Sequence, residues 1–188
     1  MGRFLGPKTK YLRRFGWAGD KNAEKKGKAP RKKTDYGGRL EEKQKLKFKY
    51  GIVERQLKNY VAVAEKSPDP SGEALLRQLE TRLDNVVYQL GWASTRRQAR
   101  QFVNHFHVLV DGKRINIPSY AAHPGEKIEL RKKISEKPAV KENMKNKKSE
   151  DVPLWLERED EVGKILRLPG KDEISKDIDV SAVLAFYR

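Results

Sequence analysis

Arg96, Arg97, Arg100, Gln101 and Asn104 stand within one short stretch, TRRQARQFVN, at spacings that an α-helix gathers onto a single edge. At about 100° per residue the three guanidinium groups and the two amides fall within roughly 140°, and Ala99, Phe102, Val103 and Phe106 fill a separate arc of roughly 100°. A guanidinium grips phosphate through a planar fork of N–H donors, while an amide can meet a base or ribose edge. The edge therefore suits folded RNA. Ser94 is placed to cap this helix, with Thr95 beside it. His105 and His107 follow, where they either touch phosphate or cap local structure.

A second candidate set lies at the front of the chain. Arg3, Lys8, Lys10, Arg13 and Arg14 are interleaved with Phe4, Tyr11, Phe15 and Trp17, a mixture suited to stacking plus phosphate contact, or to anchoring a tail on the domain. Lys43, Lys45, Lys47 and Lys49 then surround a helical stripe on several sides, so they cannot all share one face. Other chemistry fails on its own terms. Three histidines, His105, His107 and His123, with no cysteine cannot complete a tetrahedral metal set, so no metal is expected. Glu157, Glu159, Asp160 and Glu161 form a charged run, whereas acid–base catalysis needs carboxyls converging in a cleft. Gly37-Gly38 lacks the Lys and Ser or Thr of a phosphate loop. No enzyme and no cofactor are expected.

The elements that must position these groups follow from periodicity. Residues 1–40 are a basic extension whose stretch KNAEKKGKAPRKK is too poor in apolar residues to bury a core and is expected to order on a partner. A helical stripe from Arg39 to Ala64 carries Leu46, Val53, Leu57, Tyr60, Val61 and Ala64. After the turn KSPDPSG, with Asp69 as cap and Pro70 at the first helical position, one helix is expected from about Ser71 to Leu90, ended by Gly91. The arginine helix comes next. Asp111-Gly112 between alternating apolar residues signals a β-hairpin, and KIELR a third strand after Pro124-Gly125. The segment 136–150 reads as a linker. VPLWLERED restores apolar anchors at Leu154, Trp155 and Leu156, and SAVLAFYR closes the chain with a short helix or plug.

The expected architecture is α+β: a helical domain over 41–79 completed by 151–188, and a module over 80–135 in which two helices cover a three-stranded sheet. Composition sets the partner. A formal charge of +16 on 188 residues implies a polyanion, either nucleic acid or an anionic membrane surface. The charge is uneven: 17 Lys/Arg against 5 Asp/Glu in residues 1–50, but 6 against 9 in 151–188. The basic front is expected to face the polyanion and the acidic tail to pack on protein. No apolar run approaches the roughly 20 residues of a membrane span, and MGRFLGPKTK lacks a secretory apolar core. A membrane or nonspecific DNA binder also fits poorly, because the arginines gather on a short helix of a compact module and not on a long basic amphipathic helix.

The runs GPKTKYLRRFG, DYGGRLEEKQKLKFKYGIVERQL, RLDNVVYQLGWASTRRQARQFVNHFHVLVDGKRINIPSY, PGEKIEL and VPLWLE together resemble the family of ribosomal protein four of the small subunit, over almost the whole chain. The third run alone also looks like the RNA-binding module that this family shares with RNA-modifying enzymes such as pseudouridine synthases. The remaining chain offers such an enzyme no catalytic domain, and the upstream DYGGRLEEKQK run points to the ribosomal family. The resemblance implies a primary binder of small-subunit ribosomal RNA that attaches early in assembly near a multi-helix junction, in the cytoplasm. It further implies ribosomal protein five as a neighbour, a place near incoming mRNA, an influence on decoding accuracy, and in some members repression of the protein's own message. Many relatives carry a cysteine zinc knuckle near the front, which this chain lacks, and the ending AFYR lacks a serine that relatives usually have. The expected RNA-contact set is Arg3, Lys8, Lys10, Arg13, Arg14, Lys43, Lys45, Lys47, Lys49, Arg55, Arg82, Ser94, Thr95, Arg96, Arg97, Arg100, Gln101, Asn104, His105 and Lys113.

Overall fold

A computed structural model describes residues 15, 34–147, 151–174 and 177–188 of the chain. They divide into two compact units, one reaching to Ala62 and taking in the C-terminal residues from 177, the other running from Val63 to residue 174.

The first unit is helical. Thr34 starts α1 (Asp35–Tyr50) by accepting a hydrogen bond from the Gly37 N–H at 3.1 Å, and Gly51, at φ 60°, stops it. The stripe read as one helix from Arg39 is therefore two, because the left-handed residue turns the chain before α2 (Glu54–Glu65) begins. Leu46, Tyr50, Leu57 and Val61 are buried, whereas Val53 and Tyr60 of the expected stripe are only half-buried. The C-terminal helix α8 (Val180–Tyr187), capped by Asp179 through the Ala182 N–H, packs on α1 and buries Val183 and Leu184.

The second unit holds α3 (Ser71–Glu80), α4 (Leu83–Gln89), α5 (Arg96–Asn104), β1 (Val108–Val110), β2 (Lys113–Arg114), β3 (Lys127–Leu130), α6 (Lys132–Ser135), α7 (Pro138–Asn146), β4 (Leu156–Glu159) and β5 (Val162–Ile165). The expected α+β character and the three read strands are present, but the antiparallel sheet has five strands, in the order β2-β1-β3-β5-β4. Segment 151–174, grouped from the sequence with the helical domain, supplies the extra hairpin. β5 adds to the edge of β3 through Lys127↔Lys164 and Glu129↔Val162, so it completes this sheet. Only residues 177–188 join α1. The expected linker is largely α7, whose Val140 is buried in the core.

The single long helix expected from Ser71 to Leu90 is broken at Thr81 and Arg82. Thr81 ends α3 with helical φ and ψ, and Arg82 turns extended beside 118–122, with Leu83 N donating to Tyr120 O at 2.9 Å and Ala122 N to Thr81 O at 2.9 Å. Asp69 does not cap α3; its carboxylate pairs with Arg77. Leu154, expected as an anchor, is exposed, and Trp155 and Leu156 carry the burial. Phe106 lies beyond the end of α5 in a left-handed conformation, φ 57°, and is exposed as well. The hairpin turn is as read: Asp111 and Gly112 both take positive φ, 48° and 74°, which a type I′ turn requires.

One apolar core joins the elements of the second unit. Leu83, Val86, Val87 and Leu90 of α4 and Ala99 and Val103 of α5 meet Val108, Val110, Ile128, Leu130 and Ile165 of the sheet, with Trp92 and Trp155 among them. Each fully buried Val, Leu or Ile among them contributes about 1.5–3 kcal/mol. Trp92 also donates its indole N–H to Asp160 O at 3.0 Å, so its one polar atom is satisfied inside the core.

Candidate nucleic-acid interface

Thr95, not Ser94, caps α5: its hydroxyl accepts from the Gln98 N–H at 3.2 Å, while Ser94 Oγ and N both donate to Gln98 Oε1 at 2.8 Å. The cap fixes the rotation of the helix, and burial of Ala99 and Val103 turns the arginine edge away from the core. The edge is then divided by what lies beneath it. Asp84, in the first turn of α4, is almost fully buried and receives two arginines. Arg82 donates Nε to Oδ1 at 3.0 Å and Nη2 to Oδ2 at 2.9 Å; Arg100 donates Nε and Nη2 to Oδ2 at 2.8 and 2.6 Å. Asn85 continues the network, accepting from Arg96 Nε at 2.7 Å and donating to Glu80 Oε2 at 2.6 Å.

Arg82 is thus a correction to the expected set. Only 3% of its side chain is exposed, and its guanidinium is consumed in holding α4. Arg100 and Arg96 retain partial exposure but are pinned at one end, Arg100 to Asp84 and Arg96 to Asn85 and the Tyr88 ring, whose centroid is 4.5 Å from the guanidinium carbon. Pinning costs reach and reduces the entropy lost when phosphate arrives. Arg97 and Gln101 are exposed, Asn104 is half-exposed, and their side chains make no hydrogen bond among the described residues. Lys113, on β2, is exposed too.

At the far end of α5, His105 is exposed and stacks on His107 at 6.1 Å. Burial, with neighbouring His105, Arg131, Lys137 and Lys133, pushes the His107 imidazole below its ordinary pKa, and its Nδ1 is buried without a partner among the described residues. Sequence reasoning missed this basic cluster, because Arg131 reads only as the end of a strand, Lys133 and Lys137 fall outside any periodic motif, and their charges reach His107 only through the fold.

The lysines of the first unit serve a different purpose. Lys43 is buried, donates to Glu54 Oε1 at 3.0 Å and lies 3.8 Å from the Phe186 ring centroid, so it presents no ammonium outward. Lys47 donates to Glu54 Oε2 at 2.7 Å, Lys45 to Glu42 at 2.5 Å and Lys49 to Asp177 at 2.5 Å. Tyr187 Oη also donates to Glu54 Oε1, at 2.6 Å. Burial pushes the Glu54 carboxyl up, but hydrogen bonds from Lys47, Tyr187 and Lys43 together outweigh it and bring the group down to about 2. Arg55, on α2, is exposed. The expected contacts Arg3, Lys8, Lys10, Arg13 and Arg14 lie outside the described residues.

Among the described residues no group of three His, Asp or Glu is placed to hold a metal, and no helix is long and apolar enough to cross a membrane.

A model described as the ribosomal protein S4/S9 N-terminal domain matches residues 3–80, and one described as the S4 domain matches residues 81–128. The boundary between the two falls at the break between α3 and α4. The small ribosomal subunit protein uS4 of Aquifex aeolicus is 46% identical over 100% of this chain and 99% of its own length. Those of Persephonella marina and Cutibacterium acnes are 44% and 40% identical with the same coverage.

Proposed function

The chain belongs to the family of small ribosomal subunit proteins uS4, and from that premise we propose that it is a structural, non-enzymatic component of the small subunit that binds ribosomal RNA directly. The observation that carries the reading is the likeness to small-subunit proteins along the entire chain, on a protein whose net charge of +16 calls for a polyanion.

Binding is electrostatic and led by shape. Arg97, Gln101, Asn104, His105 and Lys113 make the outward contact, Arg96 and Arg100 add pre-positioned guanidinium groups at its margin, and Ser94 and Thr95 hold the helix start. Each phosphate neutralised releases condensed counterions, so affinity falls as salt rises. Crowded phosphates at a multi-helix junction reward such a rigid edge more than a single duplex does. Arg55 and the basic residues at 3–14 extend the contact. Early attachment then stabilises the junction for later proteins, among them ribosomal protein five, and a position near incoming mRNA gives the protein an influence on decoding accuracy. The site of action is the cytoplasmic ribosome.

Crosslinking in cell extract tests the class and the partner together. The expected result is a dominant crosslink to small-subunit ribosomal RNA from peptides covering Arg97 to Lys113. A dominant crosslink to other RNA or to DNA would overturn the reading.

A further inference from the structure

Beside the arginine edge, the second unit contains a cavity of about 320 Å³ between Tyr88 of α4, the 91–94 turn and the last turns of α7. That volume lies at the lower end of the range for small-ligand sites. Its wall sets the Asn143 and Asn146 amides, the Ser94 hydroxyl and Lys147 beside the Tyr88 ring and Ala93, and no carboxylate lines it among the described residues. The two asparagine side chains make no hydrogen bond among the described residues, so both amides remain available as donors.

Two cations share one aromatic platform here. Lys147 Nζ lies 5.6 Å from the Tyr88 ring centroid and the Arg96 guanidinium 4.5 Å from it. A third, Arg158, clamps the wall from behind, donating to Leu90 O at 2.8 Å and to Lys147 O at 2.6 Å. Gly91 makes the arrangement possible. Its φ is +78°, and a Cβ there would lie 2.7 Å from Arg158 Nη1 and 2.9 Å from Lys147 Cβ. Burial first, and then the charges of Arg158 and Arg96, lower the Lys147 pKa against the opposing charge of Asp151, and its ammonium donates to the neutral Gln89 Oε1 at 3.4 Å. Like charges held together around neutral donors are an arrangement that an incoming anion stabilises.

We propose that this cavity is a phosphate seat that takes one phosphodiester of the bound RNA, with Lys147 supplying charge from its wall, Arg96 adding charge from its place on the Tyr88 ring, and Asn143 and Asn146 supplying neutral donors. The proposal rests on the RNA-binding reading above and adds to it donors from the end of α7, Asn143, Asn146 and Lys147, which lie outside the matched domain.

The test is filter binding of the full chain to a small-subunit ribosomal RNA fragment across a salt series, using the parent, Lys147→Met and Asn146→Asp. Lys147→Met keeps the apolar stem and removes the charge; Asn146→Asp places a negative charge at an exposed rim and guards against a folding defect in the first variant. Each is expected to lower the slope of log K against log salt by about 0.7–0.9, the loss of one phosphate contact. Scanning the RNA with single methylphosphonate linkages should reveal one phosphate whose neutralisation weakens the parent and leaves Lys147→Met unaffected. Inorganic phosphate should shift the Asn143 and Asn146 side-chain amide resonances of the free parent, and RNA should displace it.

A parent chain with no salt-dependent RNA binding would overturn the function reading itself. If the parent binds with a salt slope that both variants share, and every neutralised phosphate costs parent and variant alike, only the seat is overturned. Phosphate that stays bound while RNA binds with full slope would assign the cavity to a free anion, and the proposal would equally fall.

Discussion

Asp84 decides what the arginines around it can do. Its carboxylate is 3% exposed and holds Arg82, also 3% exposed, together with Arg100, sixteen residues away. Removing one partner of a buried pair leaves an uncompensated charge and costs about 3–5 kcal/mol. Asp84→Ala should therefore lower the urea unfolding free energy by about that amount; a loss under about 1 kcal/mol would show that Asp84 is not the pivot of this network. Glu54 gives a second prediction, governed by pH. Its carboxyl sits at about 2 in the fold against 4.5 as the ordinary value, so the unfolded chain binds the proton first as pH falls. The stability that Glu54 contributes is complete above about 4.5 and is lost as pH drops toward 2. Because 47% of the side chain is exposed, solvent screens the effect and the change is modest. Denaturant midpoints measured between pH 5 and 2 should show a steeper fall for the parent than for Glu54→Gln; parallel curves would remove Glu54 from the account. Spacing alone placed Arg96, Arg97 and Arg100 on one edge. It could not show that Arg82 and Arg100 share an acid, since in sequence Asp84 is indistinguishable from any helix-start carboxylate.

Elements with a local cause were legible, and those with a distant cause were not. α5 followed from its own apolar arc, although its cap is Thr95 one residue past the Ser94 expected, and the β1–β2 turn from the positive φ that Asp-Gly tolerates. The break between α3 and α4 has no local signal, because Thr81 and Arg82 leave the helix to pair with 120–122, some forty residues on. The β4–β5 hairpin was likewise invisible as part of this sheet, its partner β3 being separated from it by α6 and α7. What fixes β5 there is a close approach at Gly163, which pairs with Ile128 on one side and Arg158 on the other. A Cβ at Gly163 would lie 2.5 Å from Leu90 Cδ1, and Leu90 is fully buried at the end of α4. Overpacking of this kind costs about 1–3 kcal/mol. Gly163→Ala should lower the melting temperature, and the double variant Gly163→Ala with Leu90→Val should recover part of the loss. Unchanged melting in the single variant would mean that Leu90 repacks without strain, and that β5 is not locked by this contact.

At the scale of the whole molecule, a net charge of +16 would attract any polyanion, so charge alone cannot make a specific RNA binder. The fold withdraws part of that charge from general use. Lys43, Lys45, Lys47 and Lys49 face Glu54, Glu42 and Asp177 inside the first unit, and Arg82 faces Asp84 inside the second. Some of the basic surplus thus meets the protein's own acids, including one from the acidic C-terminal block, and binding depends more on the few cations the scaffold holds in place. Such cations discriminate by geometry: phosphates of a folded junction can meet several at once, whereas a straight duplex of equal charge can meet only those along one line. In competition binding at about 0.2 M salt, where nonspecific contacts weaken to Kd values of roughly 10⁻⁴–10⁻⁶ M, a junction-containing ribosomal RNA fragment should displace labelled RNA at least tenfold more effectively than a duplex of the same length. Raising the salt should widen the gap, because the duplex loses affinity that rests on counterion release alone while the junction keeps its hydrogen bonds. Equal competition at every salt concentration would reduce the protein to a diffuse polycation and leave the rigid α5 edge without a role in choosing its RNA.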